Sequence, residues 1–452
     1  MNKNIFREYD IRGVVETDFT DDVVINLGRA FGTFVIRSGG NSVALSGDVR
    51  LTTPSLISLF TQGLLSAGIN ITHLGIVPTP VNYFSMYHMN VDGAVQITGS
   101  HNPPEFNGFK FSLNKRAFYG AHIQNLRQLM ETEDYESGAG TMMEIDILPD
   151  YHQMLKRKIQ LQRPLKIVMD CGNACGAITG PAIFKELDVE LTELYCDVDG
   201  RFPNHHPDPT EDHNLKEIVS VIKGGDFDMG LAFDGDADRV VAIDNQGQII
   251  RADNMMALFL PEIITDGDGI VFDVKCSQAL EDMILRYGGK PIMWKTGHSL
   301  IKEKMRTDNI KFAGEMSGHI FFADDFYGFD DAVYVALRLA QTLSRTDKRL
   351  SDLTADIPKY YSTAEMRLEC PTDEEKVRIA TQAEEYFPQH FDCIMVDGVR
   401  IKFGDGWGLV RSSNTQPVIV CRFEANTPER MLEIKKLVLD KLTEFGDISL
   451  HE

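Results

Sequence analysis

Cations are scarce in this chain. Lysine and arginine together number 45 against 67 aspartates and glutamates, which leaves a formal net charge of −22. A surface of that sign does not hold a phosphate backbone, so nucleic acid is excluded as a partner. A small anion is not excluded, provided the few cations gather in a cleft that focuses their field. No apolar run reaches the roughly 18 residues of a membrane span, and no membrane partner is expected. The opening Met1-Asn2-Lys3-Asn4-Ile5-Phe6-Arg7 lacks the apolar region of a secretory signal. Cysteines number seven, odd and scattered. Cys171 and Cys175 stand four apart, but no second pair or nearby histidine completes a zinc pattern. Reduced thiols in a cytoplasm are the resulting expectation.

What is present is a chain of 452 residues, too long for one ordinary core. Strand-like and helix-like runs alternate along most of it. Strands are expected at Ser42–Gly47, Ile71–Val77 and Gly93–Ile97, with a helix at Pro54–Ala67. After a Glu-rich stretch the pattern restarts. Strands Leu165–Asp170, Val189–Tyr195 and Met229–Phe233 interleave with helices Pro181–Leu187 and Leu215–Ile222. A third restart carries helices Asn254–Ile264 and Gln278–Tyr287 with strands Gly269–Asp273, Pro291–Trp294 and Ile310–Ala313. Such alternation argues for mostly parallel α/β layers.

Each restart opens on a strand ending in aspartate (Asp48, Asp170, Asp273), and each holds a later strand that runs into a polar loop. Loops at the carboxyl ends of strands are where open α/β sheets bind ligands. Past about Tyr361 the pattern changes to strands Ala364–Glu369, Cys393–Val396 and Val418–Glu424 around helices Asp373–Tyr386 and Pro428–Phe445. The fold class expected is therefore three related mixed α/β domains plus a smaller C-terminal α+β domain around a central cleft. The boundaries fall at residues 1–145, 146–248, 249–360 and 361–452.

Four loops carry chemistry. In Thr98-Gly99-Ser100-His101-Asn102-Pro103-Pro104, an apolar strand stops, and two prolines forbid a helix from starting at once. One hydroxyl is thereby presented on rigid backbone, suited to receiving or donating a group. In Asp234-Gly235-Asp236-Ala237-Asp238-Arg239, three carboxylates at alternate positions converge on a hard cation if the backbone curls at Gly235 and Ala237. A calcium EF-hand fails here, because Arg239 stands where its glycine belongs. An aspartyl phosphatase would want Thr or Val at 238. Without a cation, three such neighbours repel, which weighs against a plain solvated turn. Gly314-Glu315-Met316-Ser317-Gly318-His319 can read sugar hydroxyls, or be a satisfied strand end. Arg411-Ser412-Ser413-Asn414-Thr415 offers a guanidinium, hydroxyls and turn amides to a phosphate, or is a polar turn between strands.

Together these loops resemble the α-D-phosphohexomutase family, of the bacterial phosphomannomutase/phosphoglucomutase type. The resemblance extends to Phe6-Arg7-Glu8-Tyr9-Asp10-Ile11-Arg12-Gly13, Phe202-Pro203-Asn204-His205-His206-Pro207-Asp208-Pro209, Asp273-Val274-Lys275-Cys276-Ser277 and Thr296-Gly297-His298-Ser299-Leu300-Ile301-Lys302. It implies that Ser100 is phosphorylated and, with Asp234, Asp236 and Asp238, holds Mg²⁺. It implies that Glu315, Ser317 and His319 read the sugar. Arg411, Ser413, Asn414 and Thr415 then grip its phosphate, and Tyr9, Arg12, His101, Lys110, Arg239, Lys275 and His298 fill other cleft positions.

The implied reaction interconverts hexose 1- and 6-phosphates of mannose or glucose through a hexose 1,6-bisphosphate. The implied enzyme is a monomer or weak oligomer. A phosphoglucosamine mutase, which tends to carry Gln at position 316, and a serine-dependent phosphatase are the alternatives. Arg12, Lys110 and His298 are the general acid/base candidates. His101 invites a serine-hydrolase reading, but the Gly-x-Ser-x-Gly elbow is absent. As an adjacent residue it is expected to point elsewhere, a neighbour of Ser100 rather than its base. Gly99, where the family usually has Ala, is expected to loosen the serine loop.

Overall fold

The computed structural model describes residues 1–265, 267–413 and 417–450. Four sheets follow one another along the chain. In the first, strands Asn70–Ile76, Ser42–Gly47 and Gly93–Ile97 run parallel, and Phe106–Leu113 returns antiparallel beside the last of them. In the second, Glu190–Leu194, Lys166–Asp170 and Met229–Phe233 run parallel and Val240–Asp244 returns. In the third, Lys290–Trp294, Gly269–Asp273 and Phe312–Gly314 run parallel and Ile320–Phe322 returns.

The order is the same each time. The opening strand is central, the second strand lies on one side, and the strand that feeds the polar loop lies on the other. Each polar loop is therefore the turn of an antiparallel hairpin grafted on a parallel sheet. Alternation alone suggested mostly parallel layers; the return strands are what make the sheets mixed.

Most strands sit where apolar patterning puts them, because their residues are buried on both faces, as parallel sheets require. Gly93–Ile97 and Met229–Phe233 are buried throughout. One helix departs from expectation. It runs Gly176–Glu186 and begins ahead of Pro181. Pro181, in the second turn, cannot donate to the Ala177 carbonyl, and the helix is kept by burial of Thr179 before it and of Ile183 and Phe184 after it.

One apolar core runs through the first three domains. It joins Val81 and Phe84 to Tyr151, Ile167 and Phe233, and these to Phe259, Phe322 and Leu343. The C-terminal sheet is antiparallel throughout, with Gly406–Ser412 and Val418–Ala425 at its centre. It is covered by helices Asp373–Tyr386 and Pro428–Phe445, capped by Thr372 and Thr427. Its core of Leu368, Ile379, Ile419, Phe423 and Val438 is separate. The apolar part of the joint to the third domain is small: Val274 packs on Trp407 and Leu409. Arg400 donates to the carbonyls of Val274 and Cys276 at 2.7 and 2.8 Å and lies 3.7 Å over the Trp407 ring. Burial pushes the Arg400 pKa down to about 10, which leaves it charged at neutral pH.

Asp331 caps the buried helix Ala332–Ser344, accepting from the Tyr334 N–H at 2.9 Å and the Tyr151 hydroxyl at 2.8 Å. Burial pushes its pKa up to about 7. The folded chain then keeps a proton that the unfolded chain releases near pH ~3.9. Between these values the native state binds more protons, so this group's contribution falls as pH rises from about 4 to about 7. Asn at 331 keeps a capping oxygen without the charge. The melting temperature of Asp331→Asn should therefore gain on the parent across that window; a difference that stays constant with pH would refute the assignment.

Candidate active site

The serine loop is held from beneath by two residues that sequence patterning did not single out as functional. Asp48, just past the opening strand, accepts from the Thr98 hydroxyl at 2.8 Å and the Gly99 N–H at 3.0 Å. Arg50, only 2% exposed, pairs with Asp48 and donates to the carbonyls of Ser100, Asn102, Pro103 and Phe106. A methyl group at position 99 would stand 2.4 Å from Arg50 Nε. Gly99 thus makes room for the guanidinium that fastens the loop, and the expected loosening is corrected. Ser100 itself takes a left-handed φ of 49°, a conformation that a tightly bonded loop can impose.

The Ser100 hydroxyl lies 3.3 Å from Asp234 Oδ2 and 3.1 Å from His101 Nδ1. His101 therefore faces the serine, against the expectation that it would point away. Burial, then the nearby Arg239 and Arg12, hold its pKa well below the usual histidine range, so the ring is neutral. His206 bonds the His101 carbonyl and fixes the turn from the second domain.

Asp234, Asp236 and Asp238 are all buried, with ligand atoms within 4.8 Å of one another. Ala237 supplies the curl with a φ of 58°. Gly235 does something else: a Cβ there would meet the Ser100 carbonyl oxygen at 2.2 Å, so glycine lets the two loops touch. Thr79, at the start of helix Thr79–His88, donates its N–H to the Asp236 carbonyl and its hydroxyl to the Asp236 carboxylate. Lys110 Nζ bonds Asp236 Oδ2 at 2.7 Å and Asp238 Oδ2 at 2.5 Å. Burial opposes the charge on Lys110, but the two carboxylates outweigh it and hold its pKa well above the ordinary value. Asp234 is pushed well above the carboxylate range by burial and by Asp238 and Asp236. Asp236 Oδ1 and Asp238 Oδ1 are buried without a hydrogen-bond partner. Three hard oxygen donors with two of them orphaned suit a divalent cation such as magnesium.

Behind the triplet a second set of charges meets. Arg239 Nε donates to His319 Nε2 at 3.0 Å, so the His319 proton sits on Nδ1, 3.0 Å from Asp330 Oδ2. Lys302 bonds the other oxygen of Asp330 at 2.8 Å. The His298 ring stacks on His319 at 5.3 Å, with Nδ1 3.5 Å from Asp330. Burial, then Lys302, keeps His298 neutral. Asp330 itself stays ionised: burial opposes this, but Lys302 and His319 outweigh it. Sequence reasoning missed Asp330, which follows no apolar strand and carries no motif. Arg12 bonds Asn102 Oδ1 at 3.1 Å, which places it on the serine loop.

The remaining predicted residues gather around Thr296 and Gly297. The Tyr9 hydroxyl donates to the Thr296 carbonyl at 2.8 Å, and Glu315 accepts the Gly297 N–H at 2.6 Å. Asp397 accepts both the Thr296 N–H at 3.1 Å and Arg411 Nε at 3.0 Å, and so ties the C-terminal hairpin to the third domain. Lys275 pairs with Glu365 at 3.1 Å. Ser317 lies half-buried in the Glu315 loop, and Ser413 is buried beside Arg411. Asn414 and Thr415 lie outside the described residues. The predicted residues thus form two groups, a serine–carboxylate group and an Arg411–Glu315–Lys275 group, which meet at Thr296–His298.

Family models for phosphoglucomutase/phosphomannomutase match in order along the chain. Alpha/beta/alpha domains I, II and III match residues 3–137, 149–247 and 251–361, and the C-terminal domain matches 365–441. The chain belongs to the phosphoglucomutase/phosphomannomutase family. Membership makes it an enzyme, an intramolecular phosphotransferase of the α-D-phosphohexomutase kind. The phosphomannomutase/phosphoglucomutase of Pseudomonas aeruginosa is 41% identical over 441 residues, covering 97% of this chain and 95% of that one. The phosphoglucomutase of Neisseria meningitidis is 40% identical over 431 residues, 94% of each chain. A solved phosphoglucomutase/phosphomannomutase family structure from Burkholderia thailandensis superposes with a TM-score of 0.94 at 39% identity, over 99% of both chains. Among the described residues no helix is long and apolar enough to cross a membrane.

Proposed function

We propose that this phosphohexomutase interconverts the 1- and 6-phosphates of mannose and glucose, carrying the transferred phosphoryl group on Ser100. One observation carries the reading: a buried hydroxyl lies 3.3 Å from the first of three converging carboxylates, with Arg12, Lys110, Arg239 and His101 around it. Phosphoryl transfer asks chiefly for in-line positioning and charge neutralisation. Asp234, Asp236, Asp238 and the phosphorylated Ser100 would hold magnesium. Bound there, the ion neutralises phosphoryl oxygens and lowers the cost of developing charge.

The chain's own residues do the rest. Ser100 gives its phosphoryl group to one sugar hydroxyl, forming a hexose 1,6-bisphosphate. The bisphosphate turns over, and its other phosphate returns to Ser100. Arg411 and Ser413, with Asn414 and Thr415, grip the distal phosphate in either orientation, while Lys275 adds positive charge. Glu315, Ser317 and His319 read the ring hydroxyls. Of the acid–base candidates, Lys110 is locked as a cation by two carboxylates. His298 is kept neutral and suits proton acceptance better. Met316 packs against the core, so the choice between hexose and hexosamine falls on its neighbours Glu315 and Ser317. The enzyme acts as a monomer or weak oligomer in the cytoplasm.

Rates on mannose-, glucose- and glucosamine-phosphates test the substrate directly. Isomer should form from the first two with little inorganic phosphate; phosphate as the main product would replace a mutase with a phosphatase. The separate core of the C-terminal domain and the small apolar part of its joint suit a body that swings onto the sugar phosphate. Saturating substrate should lower the radius of gyration in small-angle scattering, and an unchanged profile would count against closure.

A further inference from the structure

Two of the seven thiols lie in contact. Cys171 and Cys196 follow the neighbouring parallel strands Lys166–Asp170 and Glu190–Leu194, and their Sγ atoms are 3.0 Å apart. Cys171 is fully buried, and its N–H is fixed by the Leu194 carbonyl. Cys196 is half-buried, the more accessible of the two. The Lys185 ammonium, bonded to Glu193, lies within electrostatic reach of the Cys196 sulfur.

We propose that Cys171 and Cys196 form a dithiol that a hydroperoxide converts reversibly to a disulfide. The Cys196 thiolate attacks the outer peroxide oxygen, the O–O bond breaks, and a sulfenic acid forms as the alcohol leaves, or water when the oxidant is hydrogen peroxide. The Cys171 sulfur then attacks the Cys196 sulfur. The S–O bond breaks, and the departing hydroxide takes the Cys171 proton and leaves as water. Two thiols lose two electrons, and the peroxide gains them. Buried Cys171, whose thiol is pushed well up by burial and by its bond to Cys196, is suited to the resolving step and not to the first attack.

The pair is wired to the serine loop. Asn173, two residues after Cys171, bonds the Tyr195 and Asp197 carbonyls on either side of Cys196. Its Oδ1 accepts from Asn204 at 2.7 Å, and Asp170 accepts from His205 at 3.1 Å. The next residue, His206, holds the His101 carbonyl. A disulfide needs the sulfurs at about 2.05 Å, an approach of about 1 Å that must be taken up by these two loops. Shifts of that size away from the reacting atoms can cost up to ~10²-fold in rate.

The test treats the purified full chain with hydrogen peroxide, blocks free thiols by alkylation, and maps digested peptides by mass spectrometry. The expected result is a Cys171–Cys196 linked peptide that a phosphine reductant abolishes. Mutase kcat should fall about tenfold and recover on reduction. Cys196→Ser, and independently Cys171→Ala, should form no link and keep full activity after peroxide. The proposal is overturned if both thiols stay alkylatable, or if Cys196 advances to sulfinic acid without a link. A link that leaves kcat unchanged overturns the coupling to the serine loop. The linked peptide is read by mass alone, so it does not depend on the mutase reading.

Discussion

Replacing Ser100 by alanine should lower hexose-phosphate interconversion by roughly 10⁴-fold or more, the scale on which loss of a covalent nucleophile acts. Binding of the sugar phosphate should survive, because the grips proposed for it lie in the other group of residues, around Thr296, Glu315 and Arg411. Intact mass should show a phosphate on part of the parent protein and none on the variant. The serine is buried and held by the Asp48–Arg50 clamp, so the lost hydroxyl leaves loop geometry in place. Full activity in the variant would remove Ser100 from the mechanism. Activity lost together with binding would mean that the loop had collapsed, and would relocate the effect from chemistry to folding.

The second large effect is expected at Arg50. Alanine there deprives four loop carbonyls of a donor and leaves the Asp48 carboxylate buried beside an empty space. Breaking one side of a buried ion pair costs about 3–5 kcal/mol. A melting midpoint reports on the whole chain, whereas this loss is local to one loop. Amide exchange over residues 98–108 should instead quicken sharply, with mutase activity falling in step. Arg50→Lys should rescue little, since an ammonium cannot reproduce the planar fork that reaches four carbonyls and a carboxylate. Exchange over 98–108 that stays slow in Arg50→Ala would show that Asp48 and the prolines fix the loop without the guanidinium.

The two predictions mark how far sequence patterning reached. Ser100 and the aspartate triplet were legible because each follows a largely apolar strand that stops at a polar run, a local signal. The alternating layers were legible for the same reason. The return strands were not, because Phe106–Leu113 reads as one more mixed segment until its hydrogen bonds to Gly93–Ile97 are seen. Asp330, Thr79 and Asp397 act only through contacts made by distant parts of the chain. Arg50 lies two residues from Asp48, yet only burial reveals that its guanidinium turns inward. The Gly99 expectation failed because conformational freedom was inferred from residue type alone, whereas the missing methyl is spent on accommodating a neighbour.

The chain has two tryptophans. Trp294 is half-buried on the third domain with the Lys304 ammonium 4.2 Å from its ring centroid. Trp407 is buried at the joint to the C-terminal domain, under the Arg400 guanidinium. An indole pressed against a cation in a dry contact emits differently from one exposed to water. The joint therefore contains its own optical reporter, and opening or closing of the C-terminal domain can be followed by intrinsic fluorescence, without a label, on the timescale of a mixing experiment.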